Sequence, residues 1–150
     1  MAVTAGQRVT ALMFGQTKSD SQNAAATTTS TSYTSTLTGG TACGVAFVAP
    51  TSGEVIIHNS AFMDNSSTGR SYVSWIIREG DSIGSGATFL DGGDESYIAE
   101  LGSNDVTAGR AIHVTGLTPG ASYNCQQQFK TSAATTASYS WRHLIVQPVP

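Results

Sequence analysis

From Thr41 to the end of the chain, apolar residues never hold a helical period through three turns. They come in short alternating or continuous runs, each cut off by Gly, Pro, Asn or Asp. Successive side chains of a strand point to opposite faces, so a period of two broken by turn residues is the pattern of a half-buried strand. The chain is therefore expected to be all-β.

The runs can be placed one by one. "TACGVAFVAP" puts Cys43, Val45 and Phe47 on one face and stops at Pro50. "GEVIIHNSAFMDN" follows a Pro-Thr-Ser-Gly turn, so these two strands are expected to pair as a hairpin. "RSYVSWIIREG" sets Val73, Trp75 and Ile77 against Tyr72, Ser74, Ile76 and Arg78. The second set is only loosely polar, which makes Tyr72 and Ile76 a candidate contact face for a neighbouring subunit. "ATFL", "ESYIAEL" and "GRAIHVTGL" supply three shorter strands. "LTPGASYNCQQQFK" then places Tyr123, Cys125, Gln127 and Phe129 on one side, and "SYSWRHLIVQPVP" groups Tyr139, Trp141, His143 and Ile145. About eight strands result, the number an antiparallel β-sandwich or jelly roll requires.

Upstream, residues Thr27 to Leu37 carry no charge and are dense in Thr. A flexible tether would favour Gly and Ser, whereas β-branched Thr suits an extended strand. Tyr33 and Leu37 also share one alternation phase, so the segment is expected to be a first strand at a sheet edge. The division expected is an N-terminal arm, residues 1–25, and a sandwich domain, residues 26–150. Within the arm Val9, Leu12, Met13 and Phe14 form an apolar cluster too short to make its own core. It either caps the sandwich or grips a partner.

Composition narrows the function. A chain of 150 residues can bury enough surface for one core. Only 11% of its residues are charged, against about 25% in ordinary soluble domains. The surface is thus solvated by hydroxyls, a habit of extracellular β-proteins and virion coat proteins. Net charge is −3 and the seven Lys and Arg are scattered, so no basic stripe exists for nucleic acid. No apolar run reaches the roughly 18 residues of a membrane span, and the amino terminus lacks the order of a signal peptide. Synthesis and folding in a cytoplasm are expected. Cys43 and Cys125 either bridge facing strands or stay as buried thiols, and a reducing compartment favours thiols.

Catalytic patterns are not found in the sequence. His58, His113 and His143 each fall inside an expected strand among apolar or hydroxyl neighbours. "IGSGATF" lacks the spacing and the helix of a serine-hydrolase elbow. "DGGDES", Asp91 to Ser96, fails the calcium-loop pattern and reads as a turn, and Gly84 to Gly86 is not followed by the Lys and helix of a phosphate loop. "NSS" at Asn65 matches a glycosylation sequon without a secretory signal. The chain is expected not to be an enzyme, with no catalytic residue, metal ligand or cofactor.

Two resemblances add to this reading. "VTGLTPGASYNC" resembles the corner before strand F of fibronectin type III domains, with Leu117, Pro119 and Tyr123 in the matching places and the tyrosine able to hydrogen-bond back across the corner. Over most of its length the chain also resembles small virion structural proteins of tailed phages infecting actinobacteria. "MAVTAGQRVTA", "TGG", "VAFVAPTSGEVIIHNSA", "GLTPGASY" and "WRHLIVQPVP" carry that likeness. Phe47, Ala49, Pro50, Ser52 and Gly53 match its "F-x-A-P-x-S-G" element, and Val146, Pro148 and Pro150 its terminal "V-x-P-x-P".

The resemblance implies a jelly roll of the C1q and tumour-necrosis-factor kind, assembled as a homotrimer on the capsid exterior. A decoration protein of this type would grip the major capsid protein through the arm and stabilise the shell. The alternatives are a minor tail or baseplate protein contacting host glycans and, outside the virion, a free-standing carbohydrate-binding module.

Overall fold

The computed structural model describes residues 15–102 and 105–150. Their strands are β1 (Lys18–Gln22), β2 (Ala26–Thr28), β3 (Gly44–Val48), β4 (Val55–Asn65), β5 (Arg70–Glu79), β6 (Thr88–Asp91), β7 (Ile98–Leu101), β8 (Val106–Val114), β9 (Ser122–Thr131) and β10 (Ala137–Pro148). No helix occurs among the described residues. Sheet I has the order β1-β10-β4-β8, with β2 also on β10; sheet II has the order β3-β9-β5-β6, with β7 also on β5. Every ladder is antiparallel. Consecutive strands switch repeatedly between the sheets, so the expected antiparallel sandwich winds in a jelly-roll-like way.

Alternation builds the core. Along β4, buried and half-buried positions alternate through all eleven residues. Val55 and Ile57 pack with Phe47, Trp75, Ile77 and Leu144, while Ala61 and Met63 pack with Val73, Phe129 and Tyr139. A polar tie between the sheets lies among these residues. The Gln127 side-chain amide donates to Asn59 Oδ1, Ser60 O and His143 O, and Asn59 Nδ2 donates to Ser74 O. Buried amides need such partners, so this tie sets the position of one sheet against the other.

The structure corrects several expectations. β3 and β4 are not a hairpin, for they lie in different sheets. Ala49 N–H donates to Ala121 O, which keeps the chain beside β9 up to Pro50, and the Pro50–Gly53 turn then carries it across. Gly53 sits at φ 72°, where a Cβ would come within 2.5 Å of Leu117 O, so the crossing needs glycine.

The Thr-rich segment is packed, with Ala26 and Leu37 buried, but only Ala26–Thr28 is a strand. Hydroxyls of Thr28, Ser30 and Thr34 each accept the backbone N–H two residues on, at Ser30, Ser32 and Thr36. These local bonds compete with a sheet ladder. Outside β2 the segment is held instead by single bridges, Thr27 to Thr38 and Thr34 to Phe129, and by Thr131 N–H donating to Ser30 O. Part of the expected arm is also a strand, since β1 pairs with β10 from Lys18↔Val146 to Gln22↔Arg142.

The last run departs most. Tyr139, Trp141, His143 and Ile145 do not share a face, because β10 carries a bulge between Ser140 and His143. Three steps on β10 there match two on β4, from Phe62 to Ser60. One extra residue reverses the alternation. Tyr139 is buried before the bulge, and Arg142, Leu144 and Val146 are buried after it, while Trp141 and His143 are exposed.

Candidate functional site

The bulge shapes the outer face of sheet I. Alternation turns Ile56, His58, Ser60 and Phe62 of β4 outward, and the ladders set Thr107, Gly109, Ala111 and His113 of β8 beside them. From β10 come His143, Ile145 and Gln147, opposite Ser60, His58 and Ile56, and the bulged Trp141. None of these twelve positions carries a permanent charge. All three histidines of the chain lie on this face. His58 Nε2 meets Gln147 Oε1 at 3.2 Å, and His113 Nε2 meets Glu54 Oε2 at 2.8 Å at the end of the sheet.

The two ends of the face differ. Toward Gln147 the outward side chains include Ile56, Ile145 and Ala111. Toward the bulge, Trp141 and Phe62 line a groove of about 390 Å³ together with Ser60, Thr107 and His143. Trp141 is 63% exposed, and its φ is 50°. That left-handed conformation is uncommon for a large side chain and costs about 1–2 kcal/mol.

The residues singled out from the sequence lie elsewhere. Val9, Leu12, Met13 and Phe14 fall outside the described residues. Leu117 is buried in the core, Pro119 is exposed, and Thr118 N–H donates to the Tyr123 hydroxyl at 3.1 Å, so the tyrosine spans this corner. Tyr72 is half-buried, with its ring edge-on to Tyr97 at 5.1 Å between centroids. Ile76 is only 5% exposed.

The outward side of sheet II is thus largely covered by its own chain. Asn124 Nδ2 donates to Gly80 O and Ser85 O while its Oδ1 accepts Gly84 N–H. Gln128 Nε2 donates to Asp91, and Ser74 to Gly93 O. This explains the run Gln126-Gln127-Gln128: the middle amide ties the sheets together, and Gln128 on the other face holds down the 91–93 turn.

Two carboxylates of "DGGDES", those of Asp91 and Asp94, are occupied in the same way. Asp91 also accepts Gly93 N–H, and Asp94 accepts Lys130 Nζ at 2.5 Å and the Tyr33 hydroxyl at 3.2 Å. The hydrogen bond from Lys130 holds the Asp94 carboxyl below its usual range. Lys130 lies 4.4 Å from the Tyr33 ring centroid and 5.0 Å from that of Tyr72, so this cluster staples the 91–97 turn to the Thr-rich segment. Among the described residues no three His, Cys, Asp or Glu side chains gather as a metal site. Cys43 and Cys125 are free buried thiols.

Sequence reasoning passed over Ser60, Phe62 and Thr107. Ser60 and Phe62 were legible in the alternation of "VIIHNSAF", but a groove arises only when β8 and the β10 bulge are set beside it. No protein-family model and no curated protein sequence matches the chain.

Proposed function

We propose that the protein is a non-enzymatic structural protein of a phage particle, a homotrimer that decorates the exterior of the assembled capsid. The observation that carries the reading is the middle of the outer face of sheet I, twelve strand positions with no permanent charge, bounded by Asp64 at one end and by Glu54 on His113 at the other. Water gains little from solvating such a face, and covering Ile56, Ile145 and Ala111 with another copy removes apolar surface at about 25 cal/mol per Å². A ring of three copies closes and stops growth. The self-contact is placed at the Ile56–Ile145 end.

The setting comes from the resemblance of the sequence to phage virion proteins. The arm bearing Val9, Leu12, Met13 and Phe14 grips the major capsid protein. A protein that binds only the assembled lattice stabilises that lattice by its binding free energy, so no catalytic group, cofactor, nucleic acid or membrane enters the mechanism.

The test is the copy number of this chain relative to the major shell protein, by quantitative mass spectrometry of purified particles. A ratio near one per shell subunit supports decoration. A ratio lower by orders of magnitude overturns it in favour of a minor tail or baseplate protein contacting host glycans, a second reading that the exposed Trp141 favours.

A further inference from the structure

We propose that the Trp141 groove is a binding subsite for a neutral saccharide. The first argument is the backbone. An exposed tryptophan is held at φ 50°, at the one extra residue of a bulge, where glycine would sit without strain. Bulges redirect side chains, and a conformation of this cost points to a use for the ring it presents.

The second argument is the lining. Trp141 and Phe62 supply aromatic surface, and Ser60, Thr107 and His143 supply hydroxyls and an imidazole, with no carboxylate, ammonium or guanidinium among them. A charged ligand would find no counter-charge there. A neutral sugar ring suits it, with its C–H face on the indole and its hydroxyls on the polar groups. At about 390 Å³ the groove is at the small end of ligand sites, which run to about 1,000 Å³.

The surroundings argue for a sugar rather than a second copy of the chain. The aliphatic side chains Ile56, Ile145 and Ala111 stand toward the opposite end of the face, and the neighbours of Trp141 on its own side include Ser60 and Thr107. Two aromatic side chains, Trp141 and Phe62, framed by the hydroxyls of Ser60 and Thr107 make a stacking platform. The inference does not rest on where in a particle the chain sits.

The experiment uses the intact chain in affinity electrophoresis through gels containing dextran, mannan or galactan, with alginate as the acidic control. Tryptophan fluorescence titrations with oligosaccharides of the retarding polymer follow. Trp75 is 2% exposed, so a ligand at the groove is expected to shift Trp141 emission to the blue. Retardation by a neutral polymer, a loss of ten-fold or more in affinity for Trp141→Ala, and partial retention for Trp141→Tyr are expected. Trp141→Gly, which suits the backbone, should lose binding while keeping its melting temperature.

Three results would overturn the inference. They are no retardation by any neutral polymer, stronger retardation by alginate, or unchanged binding by Trp141→Ala. If Trp141→Ala lowers the oligomer mass with no sugar bound by the parent, the groove is a subunit contact and the saccharide reading fails, while the self-association reading stands.

Discussion

Single residues carry costs that can be measured. Trp141 is the only non-glycine described residue with a positive φ. Relieving its backbone gains about 1–2 kcal/mol, against roughly 0.5–1 kcal/mol for the added freedom of glycine in the unfolded chain. Trp141→Gly is therefore expected to hold or slightly raise stability in urea, and a fall of several kcal/mol would show that the ring is part of the core.

The buried thiols behave in the opposite sense. Burial pushes Cys43 up to about 12 and raises Cys125 as well, from the 9.0 of a free thiol. Below pH 9 both thiols are protonated in either state, and stability does not depend on them. Above it the unfolded chain releases protons that the folded chain keeps, so stability falls by about 1.4 kcal/mol per pH unit and thiol. For Cys43 that loss runs on to about pH 12. Tyr33 and Tyr139, also raised by burial, add to the loss above about pH 10. Urea midpoints at pH 7, 9 and 10 test this, and Cys125→Ala should flatten the slope by one group.

At the scale of elements, the 80–97 excursion depends on side chains of the sheet it covers. Asn124 donates to Gly80 O and Ser85 O and accepts Gly84 N–H, so one amide holds most of a turn. Asn124→Ala is expected to cost about 1–3 kcal/mol, since it leaves several backbone groups without their partner. Hydrogen exchange should quicken across residues 80–87 while the β3–β9 ladder stays protected. Equal protection in the turn would mean that the backbone alone holds it. Gly53→Ala makes a sharper test of the sheet crossing, because its Cβ would collide with Leu117 O at a positive φ. A large loss of thermal stability is expected there.

For the whole molecule, the proposed trimer has a direct test. Ile145→Asp sets a carboxylate in the proposed self-contact at a half-buried outward position. Burying an unpaired charge is costly, so light scattering should show the mass falling from three chains to one, with the β-sheet circular dichroism retained. An unchanged trimer mass would move the contact to another face. Particle copy number then decides between shell and tail.

The sequence by itself determined the all-β class, the inward sets Cys43/Val45/Phe47, Val73/Trp75/Ile77 and Tyr123/Cys125/Gln127/Phe129, and the turns around them. Those depend on neighbouring residues and a period of two, which are local properties of a strand. Tertiary structure decided which strands pair, and so made β3 and β4 members of different sheets. It also decided which loosely polar face stays open: that of sheet II is covered by the 80–97 excursion, and that of sheet I is not. The bulge at Trp141 was invisible in advance, because no glycine marks it and its extra residue is defined only against Phe62 and Ser60 on the partner strand. A register is a relation between two strands, and one strand read alone does not contain it.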